Sequence, residues 1–191
     1  MKTKLSGTLF ILAAVACLGA DQAGVKPVSA VVIPAASGNS SGESHLGDIK
    51  VTISDGHTEV VTHDGKCSEP KASKKGDVGW VHCTNVKESR YGPHGENERL
   101  VVRSLSGKTR EFKPSSMGPF IHYWDFTAND SAVVMSSSGF HGPTLFIKYE
   151  LTSGKVTAEV SSAHCDNDYN KLPKWAQPAA MGRGLDNAPQ N

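Results

Sequence analysis

Pro70-Lys71-Ala72-Ser73-Lys74-Lys75-Gly76-Asp77-Val78-Gly79-Trp80 is answered 54 residues later by Trp124-Asp125-Phe126-Thr127-Ala128-Asn129-Asp130-Ser131-Ala132-Val133-Val134. Each stretch enters a polar turn and leaves it in a short apolar run. Gly, Asn and Asp in such a turn can take the positive φ that a tight hairpin needs. The correspondence continues downstream at an offset of 47, where His94-Gly95 matches His141-Gly142 and Leu100 matches Ile147. Ser106-Gly107-Lys108 matches Ser153-Gly154-Lys155 at the same offset. The change from 54 to 47 falls in the loop after Cys83, which is longer than its counterpart after Ser136. The chain therefore holds two copies of one unit, about 57–112 and 113–161. Each reads as strand, polar turn, strand, His-Gly loop, strand, Ser-Gly-Lys turn, strand.

No stretch within 46–170 keeps a helical period. Short runs rich in Val, Ile, Thr and aromatics recur instead, which is the pattern of strands. The expected strands are Ile49–Ile53, His57–His63, Val78–Cys83, Arg99–Ser104, Thr109–Phe112, Ile121–Phe126, Ala132–Ser136, Thr144–Leu151 and Val156–Val160. The fold class is all-β.

Pro70 through Trp80, and Trp124 through Val134, resemble the opening of a β-propeller blade of the TolB-like or WD-repeat kind. The whole chain is similar to small exported bacterial proteins of unassigned activity built from such blade-like units. The resemblance covers about 65–160. True propellers close with at least about four blades, and two cannot close a ring. What the resemblance implies is two short antiparallel sheets packed face to face, or an incomplete propeller finished by a partner.

Outside this core the composition changes. Lys2 and Lys4 precede an apolar run, Leu9 to Leu18, then the small residues Gly19 and Ala20, then Asp21. That order is the signature of a cleaved secretory signal peptide over 1–20. The run is too short to span a bilayer, which takes about 20 residues. Cleavage after Ala20 is the first choice, and Ala14-Val15-Ala16 also fits the small-x-small pattern. Cys17 offers a second course, lipid attachment, which would anchor the protein. Residues 21–45, rich in Ala, Ser, Gly, Val and Pro, read as a flexible linker. Residues 171–191 read as an extended tail in which Leu172-Pro173-Lys174-Trp175-Ala176 could pack back through Trp175.

Removing residues 1–20 takes away two lysines and no acid, so a formal net charge of +1 becomes about −1. No basic run exceeds Lys74-Lys75, which argues against a nucleic-acid partner. No further apolar segment could cross a membrane as a helix. The expected location is periplasmic or extracellular.

The mature chain keeps Cys67, Cys83 and Cys165, and export permits disulfides. If the turn Lys74–Asp77 closes a hairpin, Cys67 and Cys83 stand within one residue of direct opposition. Facing residues in a non-hydrogen-bonded antiparallel pair lie about 4.5 Å apart at Cα, close enough for a bridge. The expected disulfide is therefore Cys67–Cys83, with Cys165 left over and Cys83–Cys165 as the rival. A one-residue slip would send the two side chains to opposite faces and forbid it.

His94 and His141 occupy equivalent loops, with Tyr91 and Phe140 beside them. Loops on a rigid scaffold are where binding residues concentrate, so these four are the candidate ligand-binding residues. No metal site is expected. His82 and Cys83 adjoin, as do His164 and Cys165, but neighbours in a strand point to opposite faces. Only His63 and Cys67 approach zinc-ligand spacing. No cofactor and no catalytic residue is read either. Ser136-Ser137-Ser138-Gly139 precedes His141, yet no G-x-S-x-G elbow frames a nucleophile. The expected function is a non-enzymatic exported binding or interaction module of a bacterial envelope or secretome. Its partner would be a protein or a small polar ligand, and sheet edges offer a route to self-association. The alternative is a small secreted hydrolase using the His94 and His141 loops.

Overall fold

The structure is a computed structural model describing residues 24–34, 46–89, 92–116, 118–139, 142–165 and 168–182, with backbone alone for 86–89 and 92–97. Its eleven described strands form two antiparallel sheets. The first contains β1 (Pro27–Pro34), β2 (Gly47–Ile53), β3 (Thr58–Val60), β4 (Cys67–Ala72), β5 (Val78–Ser89), β6 (Gly92–Arg103) and β7 (Thr109–Phe112). They run in the order β1-β2-β4-β5-β6-β7, with β3 on β2. The second runs β11-β10-β9-β8, from β8 (Phe120–Phe126), β9 (Ala132–Ser138), β10 (Leu145–Glu150) and β11 (Val156–Ser161). The all-β architecture of two antiparallel sheets is therefore observed.

Strands β4 to β7 and β8 to β11 are each a four-stranded meander. The sequence repetition reappears in the backbone. Gly76 (φ 95°) and Asp130 (φ 51°), aligned at the offset of 54, both take left-handed geometry in their turns. Gly107 (φ 83°) and Gly154 (φ 73°), aligned at 47, do the same. The longer loop of the first copy is extra hairpin: β5 and β6 stay paired from Val78↔Arg103 out to Ser89↔Gly92.

Side chains alternate across each strand, so each sheet offers two faces. Val81, Leu100, Val102 and Phe112 of the first sheet meet Trp124, Val133, Met135 and Ile147 of the second, forming the central core. On the first sheet's other face, Ile49, Val51, Val78, Trp80 and Val101 form a second core, onto which Ala30 and Val32 of β1 pack. On the second sheet's other face, Val134 and Phe146 are covered by Cys165, Leu172, Ala176 and Ala179.

Three expectations change. Residues 27–34, placed in a linker, form β1, because the β-branched Val28, Val31, Val32 and Ile33 favour a strand that pairs with β2 from Pro27↔Ile53 to Pro34↔Gly47. Residues 168–182, placed largely in an extended tail, include a 3-10 turn (Tyr169–Lys171) and a short helix α1 (Gln177–Ala180) docked on the second sheet. Trp175 packs there half-buried, but Leu172 and Ala176 are the anchors. The disulfide does not form: Cys67, Cys83 and Cys165 are all buried free thiols. Cys67 pairs with His82, not Cys83. The register has slipped by one residue, and the two sulfurs belong to opposite faces of the sheet. A bulge between Ser68 and Lys71 places this slip next to Glu69, whose φ is 48°.

Candidate functional site

In a four-stranded meander the first and third turns emerge at the same end. Both copies bring their turns together there, and a groove of about 370 Å³ opens between them. That lies within the range of about 300–1,000 Å³ common for small-ligand clefts. Lys75 comes from the β4–β5 turn, Lys108 and Arg110 from the β6–β7 hairpin, and Asp130 from the β8–β9 turn.

The acids on this groove are engaged by backbone. Asp77 Oδ1 accepts from Leu105 N–H at 3.0 Å, and Asp130 Oδ2 accepts from Lys75 N–H at 2.9 Å. Asp130 is buried as well as left-handed, so it builds the turn. Arg110 Nη2 donates to Thr152 O at 2.7 Å, which aims the guanidinium across the groove. Among the described residues the ammonium groups of Lys75 and Lys108 have no carboxylate partner. The arrangement offers three cations with both neighbouring acids already hydrogen-bonded.

Of the residues expected to bind ligand, only the backbone of His94 lies among the described residues. Tyr91, Phe140 and His141 lie outside the described residues. His94 is placed by its backbone in β6, opposite Lys87, and its side chain is also outside the description. The serine run resolves into three environments. Ser136 and Ser137 are buried in β9, and Ser137 Oγ has no hydrogen-bond partner. Ser138 Oγ lies 2.5 Å from His122 Nε2 and 3.1 Å from Gly139 O. Asp125 is not part of that pair. It accepts from Tyr123 Oη and sits 3.2 Å from Lys71 Nζ.

No family model matches, and no curated protein or solved structure matches either.

Two further groupings were not legible in sequence order. On one face of β5, His82 meets Cys67 and Asp64. On the other, Cys83 stands opposite Glu98, whose carboxylate accepts from Ile121 N–H and so ties β6 to β8. Burial pushes Glu98 up to about 7; the Ile121 hydrogen bond opposes this, and the charge of Glu69 adds to it. Burial also raises the Cys67 and Cys83 thiols to about 12, so neither is an activated nucleophile. The groove itself had a signal. Within a meander the first and third turns share an end, and the first copy carries lysine in both of those turns, Lys75 and Lys108.

Proposed function

We propose that this chain is an exported, non-enzymatic binding module of a bacterial envelope or secretome, and that its groove takes a small polar ligand bearing carboxylate or phosphate groups. The observation that carries this reading is the trio Lys75, Lys108 and Arg110 around a groove whose acids are held by turn amides. Clustered cations favour an anion with several oxygens, and Arg adds directional donors. Export rests on the order of residues 1–21.

The test is titration of the purified protein with citrate and with inorganic phosphate at fixed ionic strength, followed by amide chemical shifts. Shifts confined to residues 73–77, 104–108 and 130–131, and lost in the double variant K75E/K108E, are expected. Absent shifts, or shifts unchanged in that variant, overturn the assignment. For export, the intact mass of the secreted form should correspond to a start near Asp21. A mass retaining residues 1–16 overturns export, while a diacylglyceryl adduct on Cys17 replaces release by anchoring.

One observation favours the hydrolase reading, the Ser138–His122 contact. A nucleophilic serine must pass its proton to the base, yet Gly139 O competes for that same proton. Among the described residues no carboxylate hydrogen-bonds His122 to orient it. A fluorophosphonate probe separates the readings: labelling at Ser138, abolished in S138A, makes the protein a hydrolase.

A further inference from the structure

Cys67 and His82 are direct partners across β4 and β5, so their side chains leave the sheet on one face. Asp64 reaches the same place from the turn before β4. That turn is fixed from below: Gly65 (φ 66°) gives its N–H to Asp48 Oδ1 at 2.9 Å, and Lys66 N–H binds Asp64 Oδ1 at 3.2 Å. Asp64 Oδ2 then lies 2.7 Å from His82 Nε2, and Cys67 Sγ lies 3.7 Å from Asp64 Oδ1. One ligand atom from each residue falls within 4.8 Å of the other two.

From this geometry we infer that Asp64, Cys67 and His82 form a binding site for a zinc-class divalent transition-metal ion. A tetrahedral ion with bonds of 2.0–2.3 Å holds its ligands about 3.3–3.7 Å apart. The sulfur lies 3.7 Å from Asp64 Oδ1 and the imidazole 2.7 Å from Asp64 Oδ2, so a small rotation of the carboxylate lets one oxygen join both, exchanging these two hydrogen bonds for metal bonds. Thiolate, imidazole and carboxylate together suit zinc and its neighbours; calcium and magnesium prefer oxygen alone. Three protein ligands leave a fourth position for water or an exogenous group. That position faces outward, because Cys67 is fully buried while the Asp64 and His82 side chains are 46% and 28% exposed. On binding, the Cys67 S–H bond breaks, the proton goes to solvent, and the S–metal bond forms. Nothing here borrows from the anion groove, since none of these three residues lines it.

The test uses the purified protein, reduced and stripped of metal, titrated with Co²⁺ as a spectroscopic stand-in and then with Zn²⁺ in competition. One equivalent of Co²⁺ should produce a thiolate-to-cobalt charge-transfer band that Zn²⁺ bleaches. C67S should abolish the band. C83S, which changes the buried thiol on the opposite face, should keep it. H82Q alters a partly exposed side chain and keeps the answer available if C67S fails to fold. It should retain the band and weaken binding about 100-fold or more. A folded wild type without the band, a band that survives C67S, or an affinity unmoved by H82Q overturns the site.

Discussion

Gly79 lacks a side chain because Trp124 occupies its place. A Cβ built on Gly79 would lie 2.6 Å from the Trp124 ring and 3.3 Å from Val101 O. The indole cannot easily retreat, being fully buried with its Nε1 donating to Glu69 O at 3.0 Å. Gly79→Ala should therefore cost about 1–3 kcal/mol by overpacking, and less in a Trp124→Phe background. Equal costs in both backgrounds, measured by urea denaturation, would rule out the clash. Glu98 predicts a pH dependence of definite sign. Its folded value of about 7 exceeds the ordinary 4.5, so the unfolded chain ionises first as pH rises. Stability then falls between those values, by up to about 3 kcal/mol in total. Glu98→Gln keeps an acceptor for Ile121 N–H and loses the charge. It should be more stable than wild type near pH 8 and nearly equal to it near pH 4. A variant equally stabilised at both pH values contradicts this account. At this scale the sequence was least legible. The choice between Cys83 and His82 as neighbour of Cys67 turned on one residue of register, set by a bulge that no periodicity announces.

Strands with strong apolar alternation were readable, and all nine expected runs contain observed strand. The misses have physical causes. β4, Cys-Ser-Glu-Pro-Lys-Ala, has no alternation, and its Pro70 and left-handed Glu69 sit in the irregular stretch between Ser68 and Lys71. It is a strand because β5 pairs with it on both sides of that bulge. β1 was hidden by the small polar residues around it, and packing of Ala30 and Val32 on the second core decides it. The C-terminal segment was misjudged because its prolines signal extension, whereas Pro178 stands in the first turn of α1, where its missing N–H costs little. Leu172, only 4% exposed, is that segment's largest buried side chain. Leu172→Ala should cost about 2–5 kcal/mol and increase amide exchange in β9 and β10, on which the segment lies. Fast exchange limited to the last fifteen residues would show that the cover contributes no stability to the sheet.

For the molecule as a whole, the internal repeat was the most useful signal, because it fixed turn geometry as well as strand number. Two copies with left-handed residues at matching positions build two meanders, and their inner faces make a common core. Neither face of that core is buried without the other. Thermal unfolding should accordingly be one cooperative transition, with far-ultraviolet circular dichroism and tryptophan emission superimposing. Separate transitions would mean that the sheets are independent units. The candidate site was only partly legible. The shared end of the first and third turns follows from the meander, but the hydrogen bonds that engage Asp77 and Asp130 come from turns far apart in sequence.

The layering has an optical corollary. Trp80 belongs to the core under β1, Trp124 to the core between the sheets, and Trp175 to the cover of the second sheet. The three indoles thus divide the interior into three separately lit compartments. Keeping one tryptophan at a time, with phenylalanine at the other two positions, turns emission wavelength into a record of which layer admits water first.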